Sequence, residues 1–134
     1  MRLAYAVFCQ SHNEVARVGT TFRGVPGQVA FEIPYEGKPP THYRFQHTIC
    51  VGLAEGTPGT HSIWVVAQHP GRIHQLTPDV RRFRWPPGAS FHPVCFELDV
   101  QIAITSGTWE FDILMDAEPL GTVLLPIEFN LAAR

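Results

Sequence analysis

Residues 94–129 read VCFELDVQIAITSGTWEFDILMDAEPLGTVLLPIEF, and this stretch decides the fold. Val94, Phe96, Leu98, Val100, Ile102 and Ile104 take every second position, with Cys95, Glu97, Asp99 and Gln101 between them. That is the period of a strand with one buried and one wet face. Ser106-Gly107 breaks the run. Trp109, Phe111, Ile113 and Met115 then alternate against Glu110 and Asp112, and Val123, Leu125 and Ile127 form a third set. Three antiparallel strands with a common apolar face need a second layer to cover it. The expected core therefore includes Phe96, Leu98, Val100, Trp109, Phe111, Ile113, Val123 and Leu125. The connection over residues 116–121 carries Asp116-Ala117-Glu118-Pro119, which predicts a turn longer than two residues.

The rest of the chain must supply the covering layer. Residues 2–9 are apolar on both faces and predict a strand covered on both sides, or one at a sheet margin. Residues 10–14 are polar and turn-like, and residues 15–22 favour extension. Val29, Phe31 and Ile33 alternate before Pro34, and residues 35–42 form a loop with Gly37 and Pro39-Pro40. Residues 43–53 and 61–68 are strands joined by the dense turn signal AEGTPG at 54–59, and are expected to pair antiparallel, with His47 near Val66. Residues 72–84 are the least periodic part, with a short strand expected near Phe83. Trp85-Pro86-Pro87-Gly88 is a stop, and residues 130–134 are a frayed tail. Seven to nine short strands and no helix predict an all-β fold, a two-sheet antiparallel β-sandwich, immunoglobulin-like or similar, with a small barrel as the alternative.

The 134 residues fit one domain over 1–134 with a real core. The hydrophobic content of 45% and charged content of 16% belong to a globular chain. A formal net charge of -2 lacks the basic excess with which proteins grip nucleic acid. No apolar run reaches the length of a membrane span, and MRLAYAVFCQ reads as a first strand rather than a signal peptide. Three cysteines, Cys9, Cys50 and Cys95, each in a predicted strand, argue for free thiols in a reducing, cytoplasmic compartment.

Four stretches carry a resemblance. They are Ala4-Tyr5-Ala6-Val7, then residues 45–51 with 61–66, then Phe96-Glu97-Leu98, then residues 107–116 with 120–127. In their order the chain resembles an uncharacterised bacterial β-sandwich family, a domain of unknown function. The resemblance implies a sandwich that closes on its last hairpin, and it brings no assigned activity with it.

Residues able to carry chemistry are few. The seven histidines are His12, His42, His47, His61, His69, His74 and His92. Histidine is the commonest metal ligand and the usual acid/base near neutral pH. Cys9-x-x-His12 is the one Cys-x-x-His pair, and no second pair in that order follows it in the sequence. Cys50 with His47 or His61 as base is a nucleophile hypothesis, against which stands its mid-strand place between Ile49 and Val51. Glu97, Asp99, Glu110 and Asp112 are expected to share the outer face of two adjacent strands, as a solvated face or an acid/base pair. No nucleophile elbow or phosphate-binding glycine loop occurs.

Arg72, Arg81, Arg82 and Arg84, with Phe83 and Trp85, form the strongest local charge cluster. Arginine and tryptophan dominate interface energies. The expectation is a non-enzymatic interaction or accessory module, with no metal, no cofactor and no disulfide. It binds a protein partner or itself through a sheet edge or the 72–85 segment, at Arg72, Arg81, Arg82, Arg84 and Trp85. Nucleic acid is the weaker expectation, given the overall charge. The alternative is a small-ligand or metal-binding sandwich, or a histidine-dependent hydrolase. Sandwiches carry function on end loops, here residues 34–42, 54–60, 69–88 and 116–121.

Overall fold

The computed structural model describes residues 1–16, 19–69 and 78–134. The described residues form ten strands and no helix: β1 (Arg2–Cys9), β2 (Ser11–Val15), β3 (Gly19–Arg23), β4 (Val29–Tyr35), β5 (His42–Ala54), β6 (Gly59–Gln68), β7 (Asp79–Trp85), β8 (Phe91–Ala103), β9 (Gly107–Met115) and β10 (Glu118–Ala133). The chain is all-β. Its sheets are three: β1-β5-β8, β4-β10-β9-β6-β7, and a two-stranded ribbon of β2 and β3. Among the described residues no helix is long and apolar enough to cross a membrane.

Period-two burial builds one core from both larger sheets. Phe45, Ile49, Val51 and Leu53 on β5, with Leu98, Val100 and Ile102 on β8, supply one side. Ile63, Val65, Trp109, Phe111, Ile113, Leu125 and Ile127 supply the other. Phe111 meets Phe8 edge-on at 4.9 Å and Phe45 at 5.4 Å between ring centroids, so aromatic rings link the layers. Of the expected core, Leu98, Val100, Trp109, Phe111, Ile113 and Leu125 are buried, while Phe96 and Val123 pack partly exposed against it.

Pairing departs from the sequence expectation in five places. The strand of residues 91–103 does not neighbour β9; it pairs with β5, and the short link at 104–106 carries the chain into the other sheet. Trp109 Nε1 donates to Thr105 O at 2.9 Å, and Phe129 N donates to Ser106 Oγ, which fixes that crossing. β5 and β6 likewise lie in different sheets, so His47 faces Leu98 in the pairing register rather than Val66. β10 runs parallel to β4, Ile127 opposite Val29 through Ala133 opposite Tyr35, so the sheets are not wholly antiparallel and the tail is ordered strand. Residues 11–15 are a strand rather than a turn, paired with β3 from Ser11↔Arg23 to Val15↔Gly19. Its five residues are all exposed, and without a buried face it shows no alternation.

The fifth departure is the β9–β10 turn. Met115 pairs with Glu118, leaving two residues, Asp116 at φ +49° and Ala117 at φ +68°. Two left-handed residues give the primed turn that matches strand twist. Asp116 tolerates this region, and its Oδ1 accepts from Ser62 N at 2.8 Å. The anchored aspartate holds a two-residue turn of the kind that Asn-Gly and Asp-Gly pairs commonly form.

Candidate functional site

β7 is a strand where the sequence reads as irregular, and its two faces separate the arginine cluster. Asp79, Arg81, Phe83 and Trp85 turn one way; Val80, Arg82 and Arg84 turn the other. Trp85 is fully buried, with Nε1 donating to Ala89 O at 3.0 Å. It is a core residue, so the expectation that it meets a partner is corrected. Arg81 is also engaged. Its Nε donates to Asp79 Oδ1 at 2.9 Å, its Nη2 donates to Glu97 O at 2.9 Å, and its guanidinium stands over Phe96. Asp99 N donates to the other Asp79 oxygen at 2.9 Å. Asp79 and Arg81 therefore close the gap between the β7 and β8 edges, and that edge is not free for strand addition. Arg72 lies outside the described residues.

Arg82 and Arg84 remain. Both are exposed on the outer face of the five-stranded sheet, and among the described residues no carboxylate pairs with either. Val80, on the same face, is 45% exposed and pairs with Trp64 of β6. Trp64 lines a groove of about 410 Å3 with Val66, Pro78, Asp112, Leu114 and Pro119. The indole N–H of Trp64 is buried and has no hydrogen-bond partner among the described residues. A buried donor left unpaired costs about 1–3 kcal/mol, which makes this N–H a candidate to gain an acceptor. Asp112 in the groove is already engaged, accepting from Thr122 Oγ1 at 2.8 Å and Gln68 Nε2 at 3.1 Å.

The described histidines disperse. His42 bonds Thr41, His69 bonds Thr105, and His92 stacks on Phe83. His74 lies outside the described residues. His47 packs among Phe8 and Phe45 on the core side of β5, whereas Cys50 faces the opposite side, so His47 is not its base. His61 lies in the other sheet. Its Nδ1 meets Asp116 Oδ2 at 2.7 Å and its Nε2 donates to Thr57 O at 2.7 Å. Both nitrogens are engaged by acceptors, which favours the protonated ring, and neither is placed to take a proton from a nucleophile. The four carboxylates also separate, with Glu97 and Asp99 on β8, in the three-stranded sheet, and Glu110 and Asp112 on β9, in the five-stranded one.

The hydrogen bond that His61 donates to Asp116 raises the His61 pKa above its ordinary 6.5 and lowers the Asp116 pKa below 3.8. A raised histidine stabilises fully below its unfolded pKa and loses that stability as pH rises through the folded one. A lowered aspartate stabilises above its unfolded pKa and loses that stability as pH falls through the folded one. The pair therefore contributes most between pH 3.8 and 6.5. Urea denaturation from pH 4 to 9 should show stability falling on the alkaline side of His61, and Asp116→Asn should remove that fall. An unchanged profile in the variant would assign the slope to other groups.

The three thiols, distant in sequence, come together. Cys50 and Cys95 are direct cross-strand partners of β5 and β8. Cys9 Sγ lies 3.8 Å from Cys50 Sγ. The ligand atoms of His12, Cys50 and Cys95 all lie within 4.8 Å of one another. Burial raises the pKa of the Cys50 and Cys95 thiols. Cys9-x-x-His12 was the available signal; its counterpart is one cysteine from each of two paired strands, a relation set by register that no spacing rule reveals. Trp64 and Val80 carry no sequence signal beyond strand alternation.

No protein-family model matches the chain, and no curated protein or solved structure is significantly similar to it.

Proposed function

We propose that the chain is a β-sandwich interaction module without catalytic machinery, which docks an acidic, extended protein segment on the outer face of β6, β7 and β9. The observation that carries this reading is the Trp64 groove on the same sheet face as Arg82 and Arg84, which no carboxylate pairs among the described residues. Its volume of about 410 Å3 suits one apolar anchor. Strand geometry places Arg82 and Arg84 roughly 7 and 13 Å along β7 from Val80. A segment lying along this strand sets an apolar side chain in the groove and presents carboxylates two and four residues further on. A backbone carbonyl at the anchor answers the Trp64 indole. Aromatic and arginine side chains of this kind dominate docking energies. The shared aromatic core supports the sandwich reading.

The test uses a synthetic peptide with one leucine and glutamates two and four positions away. Arg82→Glu with Arg84→Glu should weaken its binding by roughly tenfold, since two exposed attractions become repulsions worth up to about 1 kcal/mol each. Equal affinity of wild type and double variant would overturn the reading. Binding of a DNA oligonucleotide in place of the peptide, abolished by the same variant, would transfer the surface to nucleic acid. A dimer abolished by the variant would make a second copy the occupant.

A further inference from the structure

We propose that Cys9, His12, Cys50 and Cys95 bind one zinc-class divalent ion, which fastens the β2–β3 ribbon to the outer face of the three-stranded sheet. The ligands come from four strands. Cys9 ends β1, His12 lies on β2 just past the bend at Gln10, and Cys50 and Cys95 stand opposite each other on β5 and β8. Phe8, Ile49 and Phe96 point to the core side, so the neighbouring cysteines share the other face. Tyr5 on that face meets Phe22 of β3 at 5.3 Å, and Gln10 N donates to Arg23 O, which lays the ribbon over the thiols.

The distances suit a tetrahedral ion. A zinc–sulfur bond of ~2.3 Å makes the sulfur–sulfur edge of a tetrahedron about 3.8 Å. Cys9 and Cys50 are separated by 3.8 Å. His12, exposed on the ribbon, lies with Cys50 and Cys95 inside a 4.8 Å limit, and Cys9 joins the set through Cys50. Three sulfurs and one imidazole select zinc-class ions over calcium or magnesium, which take oxygen. Four protein ligands make a closed, structural centre rather than one with an open position for substrate.

The ribbon itself calls for such a fastening. An isolated two-stranded ribbon is marginal in water. All five residues of β2 are exposed, and β3 buries part of only Thr20 and Phe22, so apolar contact supplies little. Cys9 and Cys50 are fully buried and Cys95 partly so, and binding of the ion would release the thiol protons to solvent.

The test loads the reduced, full-length protein with cobalt(II) as a spectroscopic probe. The expected result is one equivalent per chain, with sulfur-to-cobalt charge transfer and intense tetrahedral ligand-field bands, displaced by zinc. Cys95→Ser should abolish the tetrahedral spectrum. His12→Ala, an exposed change that cannot unfold the core, should weaken cobalt binding by more than about tenfold. Zinc should also slow hydrogen exchange of the β2 and β3 amides in wild type and leave them unchanged in His12→Ala. An octahedral spectrum, equal affinity in His12→Ala, or three freely reactive thiols at saturating zinc would each overturn the proposal. So would a disulfide among these cysteines in protein purified under reductant.

Discussion

Phe111→Ala should lower the unfolding free energy by about 3–5 kcal/mol in urea denaturation. Phe111 is fully buried on β9, and the rings of Phe8 and Phe45 approach it from the opposing sheet. Removing it deletes the aromatic bridge between the layers as well as its transfer energy. The cavity cannot close easily, because its neighbours lie on long paired strands: β5 is tied to both β1 and β8, and β9 to both β6 and β10. A loss below about 1 kcal/mol would mean that Phe111 lies on the wrong face, and with it the alternation of the whole 94–129 stretch.

Trp85→Ala should be as costly, about 3–5 kcal/mol, while Arg84→Ala one residue away should stay within about 0.5 kcal/mol of wild type. The contrast follows from the pleat. Trp85 is fully buried and donates to Ala89 O; Arg84 faces water. Gly56 lies so close that a Cβ there would overlap the Trp85 ring, so the pocket is shaped to this side chain. Trp85→Phe should lie between the two, since it keeps most of the packing and loses a hydrogen bond worth about 1 kcal/mol. Equal, small losses for both substitutions would place Trp85 on the surface and return it to the interface cluster.

Strand existence was legible because burial of one face imposes period two, as in Leu98, Val100 and Ile102 or Trp109, Phe111 and Ile113. Strand partnership was not. An apolar alternation is the same whichever sheet a strand joins, so nothing in residues 94–129 distinguishes a hairpin from a crossing at 104–106. β2 escaped because no residue of it is buried, and β10 beyond Phe129 because its pairing is with a strand about 100 residues earlier. The arginine cluster was visible by composition, but its division needed β7 to be read as a strand. Parity then separates Arg81, which bonds Asp79 and Glu97, from Arg82 and Arg84. The thiol cluster was illegible for another reason. It depends on the register that sets Cys50 against Cys95, and on the fold of the chain that brings His12 to both.

The proposed docking surface on β6, β7 and β9 is tested most directly by the three indole N–H resonances in a 15N spectrum during titration with the acidic leucine peptide. Trp85 and Trp109 donate to Ala89 O and Thr105 O in the core, and their signals should stay in place. The Trp64 signal, from a buried N–H without a partner among the described residues, should shift downfield as it gains an acceptor, in step with the amides of Val80, Arg82 and Arg84. A Trp64 resonance that stays fixed while the peptide binds and shifts the loops at 34–42 or 54–60 would contradict the account.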